Sequence, residues 1–137
     1  MNSALHNLAG PGKSLSIEPP DTREIDGLLR SGKARLLDAR RTELSLESRF
    51  DLAYNAAHAL CLAALRRQGF RPAHRYLVFQ LLPHTLGMGA GVWRVLDKCH
   101  QQRNIAEYEG HLDVTERLVL DLIEACDAVR SALASHQ

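Results

Sequence analysis

The chain has 137 residues, of which 45% are apolar and 24% charged, and a formal net charge of +1. That length supports one buried core and not two. The small net charge leaves nucleic acid and protein partners open but argues against the broad basic face that dominates non-specific DNA binding. Aromatic residues are only 5% of the chain. Ala and Leu supply most of the apolar content, which favours helices, and runs rich in β-branched and aromatic residues are few.

Residues 1–20 carry Asn, Ser, Gly and Pro, with Gly10-Pro11-Gly12 and Pro19-Pro20 as breakers. They are expected to form a flexible arm in front of one helical-bundle domain over residues 21–137. No basic stretch leads into a long apolar run there, so the segment does not read as a signal peptide. Asp21-Thr22-Arg23-Glu24 has the form of a capping box, with Asp21 accepting from a backbone amide and Glu24 reaching back. It predicts a short helix over about residues 22–31, ended by Gly32, and a second short helix over about 33–43.

The strongest helix is predicted from Leu46 to Gln68. Phe50, Ala53, Tyr54, Ala57, Leu60, Cys61, Ala64 and Leu65 recur at helical steps. Its many alanines leave it thin-sided, so a neighbouring helix can come close. Gly69 suits the left-handed position after the last turn, Phe70 can fold back, and Pro72 prevents continuation. A further helix is predicted over about 73–86, kinked or shortened at Pro83. Gly87-Met88-Gly89-Ala90-Gly91 is then a connector. It lacks the Gly-Lys-Ser/Thr ending and the preceding strand of a phosphate cradle.

The next helix is predicted from about Val92 to Tyr108 or Glu109, with Trp93, Leu96, Cys99 and Ala106 as candidates for the core and Gly110 as its stop. Asp113-Val114-Thr115-Glu116 has the form of a second capping box. Val114, Leu118, Leu122, Ala125, Val129 and Leu133 then form one apolar stripe on a final helix of about 113–134. Short connections make successive long helices antiparallel neighbours. The expected fold is all-α: an up-and-down four-helix bundle with one or two short helices in front.

Cys61, Cys99 and Cys126 are odd in number, widely spaced and set in apolar helical patterns. They read as small buried hydrophobes in a reducing compartment, and the cytoplasm is the expected location. No His/Cys ligand spacing, Glu-x-x-His pair or His-x-x-x-His pair is present, so no metal site or cofactor is expected. The apolar runs are too short and interrupted for a bilayer, so no membrane partner is expected. Arg40-Arg41, Arg66-Arg67, Arg71 and Arg75 form local basic clusters. Two lie near helix ends, where cations complement the helix dipole.

The stretch Cys99-His100-Gln101-Gln102-Arg103-Asn104-Ile105-Ala106-Glu107-Tyr108-Glu109-Gly110-His111 carries the most chemistry. His100, Arg103, Asn104, Glu107 and Tyr108 are expected on one helix face. The guanidinium of Arg103 presents a rigid fork suited to phosphate or carboxylate. Alternatively, Arg103 pairs with Glu107 one turn on and the face has only a structural role. Asp51 and Asn55, one turn apart on the long helix, are either a solvated stripe or part of the same cleft. His58 reads as a satisfied core histidine, and His74 and His84 bracket the following helix.

Two features resemble the HEPN superfamily of small helical domains. One is the Ala-rich helix Phe50-Asp51-Leu52-Ala53-Tyr54-Asn55-Ala56-Ala57, which ends in Gly69-Phe70-Arg71-Pro72 with His74 just after. The other is Arg103-Asn104 followed by Tyr108 near the end of a later helix. The resemblance covers roughly residues 45–134.

It implies a module that binds RNA or nucleotide phosphate through Arg103, Asn104, Tyr108, Asp51 and Asn55. It also implies a homodimer whose two motifs face a shared cleft. In many members Arg and a following His cleave RNA without metal, often as the toxin of a toxin–antitoxin pair, so an antitoxin or a separate nucleotidyltransferase chain is an implied partner. Here Tyr108 stands where that His is expected, and a phenol is a poor base near neutral pH. Arg103, His100 and Tyr108 are the candidate catalytic residues for the alternative of an endoribonuclease with an atypical base. The remaining alternative is a non-catalytic structural bundle.

Overall fold

A computed structural model describes residues 3–111 and 113–136. Residues 1–2 of the expected arm and the last residue of the expected bundle lie outside them. The chain is mostly α-helical, with four long helices and a two-stranded sheet among the described residues. No helix among those residues is long and apolar enough to cross a membrane.

The expected flexible arm is folded in residues 3–20. Helix α1 spans Ser3–Asn7, and strand β1, Leu15–Ile17, pairs antiparallel with β2, Phe70–Pro72. Leu5 and Leu15 are buried in the main core. Glycine and proline shape the turns between these pieces without keeping the segment off the core, because two leucines there bury enough apolar surface to hold it down.

Asp21 caps helix α2, Thr22–Ala39, by accepting from the amides of Arg23 and Glu24 at 2.9 and 3.3 Å. Glu24 does not close the box. Its carboxylate accepts from Arg66 at 2.7 Å and from Arg71 at 2.8 Å instead. The two short helices expected over 22–43 are one continuous helix through Gly32. A Cβ there would meet Cγ and Cδ2 of Leu60 at 2.9 Å. Gly32 is therefore a close-approach site where α2 crosses helix α3, Leu46–Arg67. Gly32→Val is expected to cost about 1–3 kcal/mol through overpacking. A urea titration checks this: a lower midpoint at unchanged slope is the expected result, and a shift under about 0.5 kcal/mol would rule the close approach out.

Helix α3 is the central element, with its alanines and Phe50, Tyr54, Leu60 and Leu65 buried. Gly69, just beyond it, has φ +89°. The single helix expected over 73–86 is replaced by β2, a turn and two one-turn helices, α4 (Leu77–Gln80) and α5 (Leu82–Thr85). The break falls at Leu81, two residues before Pro83. The ring of Pro83 clashes with a helical carbonyl four residues back and disfavours helical backbone at Leu82.

Helix α6, Ala90–Glu109, buries only Leu96 and Cys99, and Gly110 ends it at φ +75°. Trp93 and Ala106 are half-buried. Helix α7, Glu116–Ser135, is capped by Thr115, whose hydroxyl accepts from Leu118 N at 3.1 Å. The box expected to start at Asp113 does not form: the cap is Thr115, two residues later, and with Leu118 at the third helical position no side chain reaches back. Leu118, Leu122, Ala125, Val129 and Leu133 are buried, with Val114 packed against them. All three cysteines are free and buried, and burial pushes the Cys99 thiol up to about 12. Thiols held protonated in this way are poor nucleophiles.

Candidate functional site

Tyr54, on the second turn and a half of α3, organises the polar face next to the core. Its ring is buried, with an edge contact to Phe79 at 5.7 Å between centroids. Two guanidinium groups lie over that ring: Arg103 from α6, 5.1 Å from its centroid, and Arg75 from the turn after β2, at 5.9 Å. Cations over an aromatic face are attracted by its quadrupole. Each is also tethered from α3. Arg103 donates to the Asp51 carboxylate, and Arg75 donates to Asn55 Oδ1 at 2.7 Å. Asn55 in turn donates to the Asp51 carbonyl at 2.8 Å.

His100 lies behind this pair. Its ring stacks on Tyr76 with centroids 4.2 Å apart and planes at 13°. Its Nδ1 shares a hydrogen bond with the Tyr54 hydroxyl at 2.9 Å, and its Nε2 lies 3.3 Å from Asn104 Nδ2. Burial holds the pKa of His100 below the usual imidazole value, against the opposing pull of Asp97 and Glu107. Tyr76 donates to Asp97, and burial with that bond pushes its phenol up to about 12. The imidazole is thus stacked on one face and has a hydrogen-bond partner at each nitrogen.

The structure therefore brings Arg103, Asn104, His100, Asp51 and Asn55 together. It separates Tyr108, which is 95% exposed. Tyr108 lies one turn beyond Asn104, next to the C-terminal end of α6. The expected pairing of Arg103 with Glu107 is also replaced. Arg103 crosses to Asp51, and a pocket of about 220 Å³ is lined by Arg103 itself with Glu107, Glu47, Asp51 and His111.

Sequence reasoning missed Tyr54, Tyr76, Arg75 and Asp97. Tyr54 lies between Asp51 and Asn55 on one helix turn, which was a usable signal. Tyr76–Asp97 and Arg75–Asn55 join residues about twenty positions apart, and no local spacing announces them.

His58 is one turn beyond Tyr54. Its Nε2 is buried without a hydrogen-bond partner, and burial, then the charge of Arg75, lower its pKa from 6.5 to about 4. The satisfied core histidine expected here is instead a half-buried one with one ring nitrogen unpartnered. Since the unfolded chain takes up this proton first as pH falls, stability is complete above about 6.5 and declines between 6.5 and 4. Urea midpoints measured across that range should fall with pH, and His58→Gln should flatten the decline. An equal slope in the variant would assign the loss to other groups.

No protein-family model, curated protein or solved structure matches this chain.

Proposed function

We propose that the chain is a HEPN-like helical module that binds RNA or nucleotide phosphate at the Arg103–Arg75 face, and that it binds without cleaving. The observation that carries this reading is the pair of guanidinium groups converging over Tyr54, with the amides of Asn55 and Asn104 beside them. Arg103 gives one donor to Asp51, and its side chain keeps a third of its surface open, at 33%. The rest of its fork is available for a phosphate oxygen. The engagement of both His100 nitrogens favours binding over the endoribonuclease alternative. Tyr108 in solvent offers no base in its place.

A homodimer with its two-fold axis near Arg103 belongs to the same proposal. Ile105 and Tyr108 on the end of α6 are 47% and 95% exposed, an apolar surface that a second copy would cover. Light scattering across a wide concentration range tests it, and a strictly monomeric mass would remove the shared cleft.

The binding test is fluorescence anisotropy with a short labelled RNA and no divalent metal. Arg103→Ala is expected to weaken binding about tenfold, the loss of one charge-assisted hydrogen bond. The slope of log affinity against log salt should become shallower by about one phosphate. Tyr108→Phe should bind like the wild type. Equal binding by wild type and Arg103→Ala would sink the proposal, as would rapid cleavage by the wild type.

A further inference from the structure

A second cationic cleft lies away from Arg103, where the middle of α2 meets the ends of α3 and α7. It encloses about 170 Å³. Its floor is apolar: Leu60 and Leu133 are buried, and Leu29 is half-buried. Around the floor stand Lys33, Arg67 and Arg130, one from each helix.

Among the described residues these three cations have no carboxylate partner, for a reason visible in the sequence. The helix neighbours of Lys33 at three and four residues are Leu29, Arg30, Leu36 and Leu37, and those of Arg67 within α3 are Ala63 and Ala64. Arg130 has one acidic helix neighbour, Asp127, which Arg40 already holds. Arg67 donates to the Leu133 carbonyl at 2.9 Å, which fixes its fork at the cleft. Among the described residues the side chains of Lys33 and Arg130 make no hydrogen bond or ion pair. Arg67 and Arg130 are half-buried, so part of their hydration is lost without a countercharge to replace it.

Converging like charges repel, and the repulsion weakens when an anion sits between them. The apolar floor adds a demand that inorganic phosphate does not meet. We propose that this cleft binds a small organic oxyanion carrying a short apolar body. Its charged end would meet Lys33, Arg67 and Arg130, and its hydrocarbon would lie on Leu29, Leu60 and Leu133. The space is that of about six waters at ~30 Å³ each, which suits a short chain or a single ring. The site is independent of the Arg103 face.

Hexanoate is the probe, titrated into the folded full-length chain and followed by amide chemical shifts. Hexanol and inorganic phosphate supply the hydrocarbon and the charge separately. The expected result is saturable hexanoate binding, with shifts confined to the centre of α2 and the ends of α3 and α7. Hexanol and phosphate should each bind at least about tenfold more weakly. Arg130→Ala and Lys33→Ala should each weaken hexanoate about tenfold, while Arg103→Ala should leave it unchanged. The inference is overturned if hexanol or phosphate matches hexanoate, if neither cleft variant loses affinity, or if hexanoate does not saturate. A parallel loss in Arg103→Ala would overturn its independence from the first site.

Discussion

Arg66→Ala is expected to destabilise the protein by about 3–5 kcal/mol, the usual cost of removing one partner from a buried charge network. Arg66 is 0% exposed. Its guanidinium donates to the Glu24 carboxylate at 2.7 Å and to the carbonyls of Glu18, Pro19 and Phe70 at 2.9, 2.7 and 3.1 Å. Arg71 closes the network by bridging the carboxylates of Glu18 and Glu24. Removing Arg66 strands three carbonyls at the joint where residues 18–24 cross the end of α3. Lys cannot replace it, because one ammonium cannot match donors spread along a planar fork. Arg66→Lys should therefore recover only part of the loss. Urea unfolding of both variants measures this, and a cost under about 1 kcal/mol for Arg66→Ala would mean that water satisfies the joint equally well.

Leu122→Ala is expected to cost about 2–5 kcal/mol, the range for emptying a closed apolar site. Leu122 is 0% exposed and lies midway along the buried stripe of α7, against the same core as Phe50 and Leu96. That core is filled by residues from every long helix, so no single neighbour can collapse into the space left. The measurement is a urea midpoint at unchanged slope. A change under about half a kcal/mol would mean that the stripe packs too loosely to hold the helix.

The Arg66 and Arg103 cases mark how far local pattern carries. Arg66 sits in the last turn of α3, where a basic residue is expected to complement the dipole in solvent. It is instead the most deeply buried charge in the chain, because the N-terminal segment folds over it. Arg103 was legible as a candidate from its type and its place on a polar face. Its partner was not, since Asp51 lies fifty-two positions away, whereas Glu107 is one turn along.

What the sequence by itself determined is the part governed by short-range physics. The α3 helix, its end before Gly69, the stop of α6 at Gly110 and the buried stripe of α7 all follow from helical periodicity and backbone preference within a few residues. The sequence also put Arg103 and Asn104 on one polar helix face, but left open whether Asp51 and Asn55 join them or form a solvated stripe. Only the tertiary structure decided the rest. It turned Gly32 from a helix stop into a helix crossing, because stopping or continuing there depends on Leu60 of another helix. It folded residues 3–20 onto the core through Leu5, Leu15 and the Arg66 network. It also set His100 against the ring of Tyr76 and between the Tyr54 hydroxyl and the Asn104 amide. Each of these outcomes depends on residues distant in the chain, and the hydrogen bonds, ring stacking and close packing that enforce them act only after the helices have met.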